Sequence, residues 1–258
     1  MTGAIALHGG GEFLAGDEAF LGALLERAAE RAGHLPDVAN DVPIRVAVVP
    51  TAASRGRPDV AAANGVAAFE RVAAASGRDV AASAVPVVDV ATAHDPGLGA
   101  ELAAADVIHL PGGDPDLIPA LMPGSAAWAA ITGAHSAGAV LAGASAGAMA
   151  LGPWTWTPGG GMGGLRMVLG FVVVPHAREG TWPATIERFA AWAPEGLGAL
   201  GLSEQTGVVE EPVAPGSLTI DWRVVGPGVA LWLADPVHGG ETVVARSGDV
   251  ISTPVVAL

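Results

Sequence analysis

The chain has 258 residues, of which 51% are hydrophobic and 15% charged, and its formal net charge is −14. It contains no lysine and no cysteine, so arginine supplies every fixed side-chain cation, and disulfides and thiolate chemistry are excluded. This acidic balance argues against binding to nucleic acid or anionic membranes, and no apolar stretch approaches the roughly 20 residues of a membrane span. The first residues lack the basic segment of a signal peptide, so we expect a cytoplasmic protein.

Short apolar runs alternate with stretches of helical periodicity from the start of the chain. Strands are predicted at residues 4–8, 44–49, 80–90, 106–110 and 140–143, and helices at about 17–33, 58–76, 101–104, 116–122 and 125–135. This alternation predicts βαβ units, and hence an α/β fold of three layers in which helices cover both faces of a mostly parallel central sheet.

The second half of the chain continues this pattern and then changes period. Further strands are predicted at residues 171–174 and 199–202, with a helix at 181–193 between them. From about residue 208 the period shifts towards two, with short strands predicted at 218–225, 229–233 and 242–245. We therefore expect one domain, with a core of residues 1–210 and a small antiparallel β extension at 211–258.

Glycine-rich or polar segments directly follow four of the predicted strands, at residues 9–13, 50–54, 111–115 and 143–147. In open parallel sheets, active sites lie beyond the carboxyl ends of the strands. These four segments should therefore meet at one edge of the sheet and form the site there.

The segment 143–147 reads G-x-S-x-G between an apolar strand and small helix-forming residues. A serine at the apex of a sharp strand-to-helix turn needs small neighbours, and the turn directs the next backbone N–H and the positive helix end at developing negative charge. Ser145 is therefore the candidate nucleophile and the Ala146 N–H a candidate oxyanion donor. A plain Gly/Ser turn is the structural alternative.

A serine nucleophile needs a base within hydrogen-bonding reach and a group that orients the base. Of the seven histidines, His176 lies downstream of the serine and directly follows a predicted strand, which makes it the candidate base. Residues 146–175 contain no Asp or Glu, so the orienting carboxylate comes from elsewhere or is absent. Glu204, which follows the next strand, is the first choice and Glu179 the second; Glu204 as a cap of its own loop is the alternative.

Six motifs occur in a fixed order along the chain, at residues 9–13, 50–54, 112–114, 143–148, 175–176 and 201–206. This ordered set, over about residues 4–210, resembles peptidase family S51, which includes cyanophycinase and dipeptidase E and has the class I glutamine amidotransferase-like, flavodoxin-like fold. The resemblance implies a serine peptidase that hydrolyses small aspartate-rich peptides or isopeptides and needs no metal or organic cofactor. It implies Ser145 as nucleophile, His176 as base, and the N–H groups of Gly113 and Ala146 as oxyanion hole.

The residues that would contact the substrate leave alternatives open. Asp114 holds a substrate amine or caps a helix. Arg178 binds a substrate carboxylate, pairs with the adjacent Glu179 or is simply solvated. The tryptophans at 154, 156 and 182 line a pocket for an apolar substrate group or pack in the core, and packing is the favoured interpretation.

Two further questions remain at the level of the whole protein. The stretch without acids between Ser145 and His176 also fits a catalytically impaired S51 homologue that binds a small amino-acid-like ligand. A glutamine amidotransferase is disfavoured because its nucleophile is a cysteine. The oligomeric state is left open, a homodimer included.

Overall fold

The computed structural model describes residues 2–31, 42–191, 193–214 and 216–254. The strands are β1 (Ile5–His8), β2 (Ile44–Val48), β3 (Val80–Ala84), β4 (Val107–Leu110), β5 (Val140–Ala144), β6 (Trp154–Thr157), β7 (Gly160–Gly163), β8 (Phe171–Val174), β9 (Gly198–Leu202), β10 (Gly207–Glu210), β11 (Thr219–Val225), β12 (Ala230–Leu233), β13 (Val243–Ala245) and β14 (Val250–Pro254). The helices are α1 (Glu18–Arg31), α2 (Pro58–Ser76), α3 (Val90–Ala93), α4 (Pro96–Ala104), α5 (Leu117–Leu121), α6 (Ala126–Ser136), α7 (Ala146–Leu151) and α8 (Trp182–Ala190), with 3₁₀ turns at Thr51–Ala53 and Glu179–Thr181.

The central sheet has eight strands in the order β14-β11-β10-β1-β5-β4-β2-β3. The five strands from β1 to β3 in this order are parallel, whereas β10, β11 and β14 add to the edge of β1 in antiparallel fashion. The predicted mostly parallel sheet and the antiparallel C-terminal strands are therefore confirmed.

Every residue of β1, β4 and β5 is buried, and all but His8 and His109 are apolar, because both faces of the sheet are covered. Alternate residues of a strand point to opposite faces. Ile5 and Leu7 of β1 accordingly join one buried cluster, and Ala6 joins another. The first cluster includes Leu102, Ile131 and Leu151 of α4, α6 and α7; the second includes Leu24 of α1 and Phe69 of α2. Helices thus cover both faces, as predicted.

A second sheet is the main departure from the predicted arrangement. Strands β8 and β9 are not part of the central sheet; with β12 and β13 they form a four-stranded sheet in the order β13-β12-β9-β8. Its outer face packs against α8 through a small cluster that includes Val172, Trp182, Phe189 and Leu231. Local periodicity identifies these strands, but it carries no information on which strands they pair with.

Several boundaries also differ from those expected. The strand predicted within residues 80–90 occupies Val80–Ala84, and Asp89 then caps α3 by accepting a hydrogen bond from the Thr92 N–H. The apolar and glycine-rich segment after α7 forms the hairpin β6-β7. The predicted helices at 17–33 and 181–193 extend to residues 32–33 and 192, which lie outside the described residues. Within the described ranges, no helix has both the length and the apolarity that crossing a bilayer requires.

Candidate active site

The four segments that follow the parallel strands meet at one edge of the central sheet. The Ser145 N–H donates a hydrogen bond to the His8 carbonyl oxygen at 2.9 Å, and the Asp114 N–H donates to the Ala52 carbonyl oxygen at 2.7 Å. The Gly112 N–H donates to Glu12 Oε1 at 2.7 Å. These contacts join the segments at residues 9–13, 50–54, 111–115 and 143–147, as the positions of the strands predict.

Ser145 lies at the turn between β5 and α7. Its backbone has φ 48° and ψ −113°, a conformation that costs a non-glycine residue free energy and persists only where the surroundings impose it. A Cβ on Gly147 would overlap with the Leu110 carbonyl oxygen, and one on Gly143 would lie 2.5 Å from the Gly147 carbonyl carbon. The glycine spacing therefore follows from the close packing of this turn against β4. Ala146 begins α7, so its N–H has no intrahelical acceptor.

His176 and Glu204 follow the neighbouring parallel strands β8 and β9, so both emerge at the same end of the second sheet. The His176 N–H donates to the Gly9 carbonyl oxygen at 2.8 Å, and the Gln205 N–H donates to the Gly10 carbonyl oxygen at 2.7 Å. Gly10, at φ 107°, lies directly against the imidazole, where a Cβ would overlap with the ring. The segment at residues 9–13 thus joins the two sheets and leaves room for His176.

The three candidate catalytic side chains form one chain of contacts. Ser145 Oγ lies 3.0 Å from His176 Nε2, and His176 Nδ1 lies 3.1 Å from Glu204 Oε1. With the proton on Nδ1, the histidine donates to the carboxylate and accepts from the serine hydroxyl, which is the orientation that a general base needs. The side chains of His176 and Glu204 are 50% and 57% exposed, so water reaches this pair. Glu179 instead pairs with Arg246, whose Nη2 lies 3.2 Å from Glu179 Oε2.

Glu12 is a site residue that the sequence analysis does not single out. Its carboxylate accepts from the Gly112 N–H, and Gly112 in turn lies so close to the nucleophile that a Cβ there would be 3.0 Å from Ser145 Cβ. Because the Gly112 N–H is engaged, the N–H groups of Gly113 and Ala146 are the candidate oxyanion donors. The signal for Glu12 is its place in the segment after β1, at the expected edge.

A pocket of about 440 Å³ opens beside Ser145. Most of its lining is apolar, and it consists of Gly113, Pro115, Ser145, Ala146, Met149, Trp154, Trp156, Val172, Val173, Val174, Pro175, His176, Thr185, Arg188 and Phe189. Gly113 and Ala146 therefore face the same space as Ser145 and His176. A larger cavity of about 760 Å³ lies near the amino ends of β1 and β5, with Arg27 and Glu210 in its lining, and none of the candidate catalytic residues borders it.

Neither predicted substrate-binding side chain lines the pocket. Asp114 lies 3.6 Å from Arg55 Nη1, at the outer side of the segment. Arg55 also donates two hydrogen bonds to Asp116, at 2.8 and 2.9 Å, which lower the pKa of Asp116. Arg178 is exposed and lies outside the lining. Arg188, which the sequence analysis does not select, is the arginine that borders the pocket.

Two buried histidines lie close to the site but do not enter it. His8 Nε2 is 3.0 Å from Asp17 Oδ1, and both side chains are almost completely buried. His109 packs against the rings of Phe13 and Phe69, and neither of its ring nitrogens has a hydrogen-bond partner among the described residues. Burial lowers the pKa of His109 to about 3, so it stays neutral near neutral pH. In the described part of the chain, no group of three or more acidic or histidine side chains is arranged to hold a metal ion.

Comparison with known families places the chain, which has a three-layer α/β fold, among peptidases. The sequence model of peptidase family S51 matches residues 26–209, and the chain belongs to that family. The crystal structure of a peptidase from an acI-B1 Actinobacterium is similar, with a TM-score of 0.72 and 23% identity over 98% of both chains. A putative peptidase E protein from Listeria monocytogenes EGD-e has a TM-score of 0.53 and 14% identity, over 88% of this chain and 99% of its own. At these identities the likeness shows the shared fold. No curated protein sequence matches the chain.

Proposed function

We propose that the protein is a serine-type peptidase that cleaves small peptides or isopeptides through an acyl-enzyme on Ser145. The observation that carries this function is the series of contacts from Ser145 Oγ through His176 to Glu204, at 3.0 and 3.1 Å. His176 Nε2 takes the hydroxyl proton as Oγ attacks the scissile carbonyl carbon, and Glu204 stabilises the imidazolium that forms. The proton then passes to the leaving amine, and a water molecule hydrolyses the ester.

The negative charge that develops on the carbonyl oxygen needs donors that are already oriented. Ala146, at the start of α7, and Gly113 both line the pocket beside Ser145. We assign both to the oxyanion hole, with Glu12 holding the adjacent Gly112 N–H. This mechanism requires neither a metal ion nor an organic cofactor.

The family resemblance suggests an exopeptidase or isopeptidase, with aspartyl dipeptides and cyanophycin-like isopeptides as the first substrates to test. A cytoplasmic location remains our expectation. The alternative of a catalytically impaired, ligand-binding homologue rested on the absence of an acid between Ser145 and His176. The Glu204 carboxylate, at 3.1 Å from His176 Nδ1, supports the catalytic proposal over this alternative.

A fluorophosphonate probe tests the nucleophile without knowledge of the substrate. The wild-type protein should form one covalent adduct that peptide mapping assigns to Ser145, and Ser145→Ala should not react. Ser83→Ala, which changes an exposed serine of β3, is the matched control and should react like the wild type. Equal labelling of the wild type and Ser145→Ala would refute the assignment.

A further inference from the structure

We propose that the pocket beside Ser145 binds a substrate with an apolar, preferably aromatic, side chain and one carboxylate, and that Arg188 binds this carboxylate. The inference rests on the proposed function only in taking Ser145 as the reacting group. The substrate proposed here differs from the aspartyl substrates that the family resemblance implies. The proposal is based on the composition of the pocket wall.

The wall of the pocket is built from large apolar side chains of three elements. Trp154 and Trp156 come from β6, Phe189 comes from α8, and Met149 comes from α7. An aspartyl side chain placed against these four side chains would lose its hydration without gaining a hydrogen bond from them, which is unfavourable. An aromatic ring would be stabilised there by burial and by ring-to-ring contacts.

The tryptophans divide into two groups in the structure. Trp182 is 4% exposed and its Nε1–H donates to Thr242 Oγ1 at 3.1 Å, so it packs in the core of the second sheet. Trp156 is 44% exposed and borders the pocket. The hairpin β6-β7 presents the ring of Trp154 across Gly161, where a Cβ would overlap with the indole. The favoured interpretation as packing therefore applies to Trp182, Trp154 both packs against the cluster around Trp182 and lines the pocket, and Trp156 borders the pocket.

The charged residues that line the pocket indicate which charged group a substrate carries besides its apolar side chain. Arg188 is the one arginine in the lining, and no Asp or Glu is found there among the described residues. Its Nε lies 3.4 Å from the Ala184 carbonyl oxygen, and no described carboxylate forms an ion pair with it within 4.0 Å. A guanidinium binds a carboxylate through two parallel hydrogen bonds. One arginine matches one carboxylate, whereas an aspartyl dipeptide brings two carboxylates and an ammonium for which the wall has no acidic partner.

Three small ligands separate these requirements without any turnover. They are 3-phenylpropionate, which has a ring and a carboxylate; 3-phenylpropanamide, which lacks the charge; and succinate, which lacks the ring. Affinities for wild type and Ser145→Ala are measured by calorimetry or ligand-observed NMR. We expect 3-phenylpropionate to bind about tenfold more tightly than either other ligand, since each loses one set of contacts. It should also protect Ser145 from the fluorophosphonate.

Matched variants assign the contacts. Arg188→Gln should abolish the preference for the acid over the amide, while Arg178→Gln, outside the lining, should preserve it. Trp156→Ala should weaken both phenyl ligands, and Trp156→Phe, which keeps a ring if alanine disturbs the hairpin, should largely retain them. Succinate binding as tightly as 3-phenylpropionate, or acid and amide binding equally to wild type, would overturn the inference. Failure of the proposed function is a separate result: the fluorophosphonate would not label Ser145, whatever the ligands do.

Discussion

Replacing Glu204 with glutamine tests how a half-exposed carboxylate supports the histidine. Glutamine keeps an oxygen that can accept from His176 Nδ1–H, but it has no negative charge. In serine proteases with a buried carboxylate, the corresponding change to an amide lowers kcat by about 10⁴, because the amide favours the wrong tautomer. The environment of Glu204 differs, so the expected loss differs too.

The magnitude follows from the distance and the exposure of the pair. His176 Nδ1 and Glu204 Oε1 are 3.1 Å apart, and the side chains are 50% and 57% exposed. Unit charges at about 4 Å attract by about 1 kcal/mol in water and about 4 kcal/mol at an effective dielectric constant of 20. Because solvent screens exposed pairs, we take the lower part of this range, about 1–2 kcal/mol. The Glu204→Gln variant should therefore lose about 5- to 30-fold in rate.

The second-order rate constant of fluorophosphonate labelling measures this effect, with kcat for any cleaved peptide as a second readout. The difference between wild type and Glu204→Gln should shrink at about 1 M salt, because the Debye length is then about 3 Å. Glu179→Gln is the control and should react like wild type, since Glu179 pairs with Arg246. An unchanged rate for Glu204→Gln would exclude the carboxylate as the orienting group, and a loss above about 10³ would refute the estimate for an exposed pair.

Three further predictions concern the surroundings of the site. Glu12→Ala should lower kcat/KM about tenfold, because the Gly112 N–H loses its acceptor. Glu12→Gln keeps an acceptor and should lower kcat/KM less. Equal losses in the two variants would contradict the role of that hydrogen bond. Gly147→Ala forces a methyl group against the Leu110 carbonyl oxygen. It should reduce the free energy of unfolding in urea by about 1–3 kcal/mol and abolish fluorophosphonate labelling. An unchanged midpoint of urea unfolding would contradict the close packing. Burial lowers the pKa of His109 to about 3, whereas an unfolded histidine has a pKa of about 6.5. As the pH falls from about 6.5 towards 3, the unfolded state binds a proton that the folded state does not, so the free energy of unfolding decreases, by about 2 kcal/mol at pH 5. His109→Leu should remove that part of the pH dependence in urea unfolding at pH 7.5 and 5, and an equal decrease in both proteins would argue against it.

Much of the site could be predicted because its residues directly follow strands. Buried strands of the parallel sheet are mostly apolar on both faces and are followed by segments rich in glycine or polar residues, so Ser145 stands out from its local sequence. The carboxyl-end rule explains why His176 and Glu204, which follow the adjacent parallel strands β8 and β9, lie together. It does not explain why they lie beside Ser145, because β8 and β9 belong to the second sheet. The geometry at 3.0 and 3.1 Å is what that interpretation requires.

What could not be predicted depends on contacts between distant parts of the chain. Strand pairing is not encoded in local periodicity, so the separate sheet of β8, β9, β12 and β13 was not foreseen. The hairpin β6-β7 was missed because Gly160–Gly163 has almost no side chains to show a period of two. Glu12 acts on Gly112, 100 positions away, and nothing near either residue indicates the hydrogen bond between them.

The division of the catalytic groups between two sheets has a consequence for how the protein tolerates substitution. Ser145 follows a strand of the eight-stranded sheet, whereas His176 and Glu204 follow strands of the four-stranded one. A shift of about 1 Å between these two bodies would break the serine–histidine contact while leaving each body intact. Turnover would therefore report the alignment of the two sheets and not the melting temperature. Neutral-looking changes would be most damaging where the sheets pack against each other, as at Phe171 of β8, whose ring centroid lies 5.8 Å from that of Trp222 in β11.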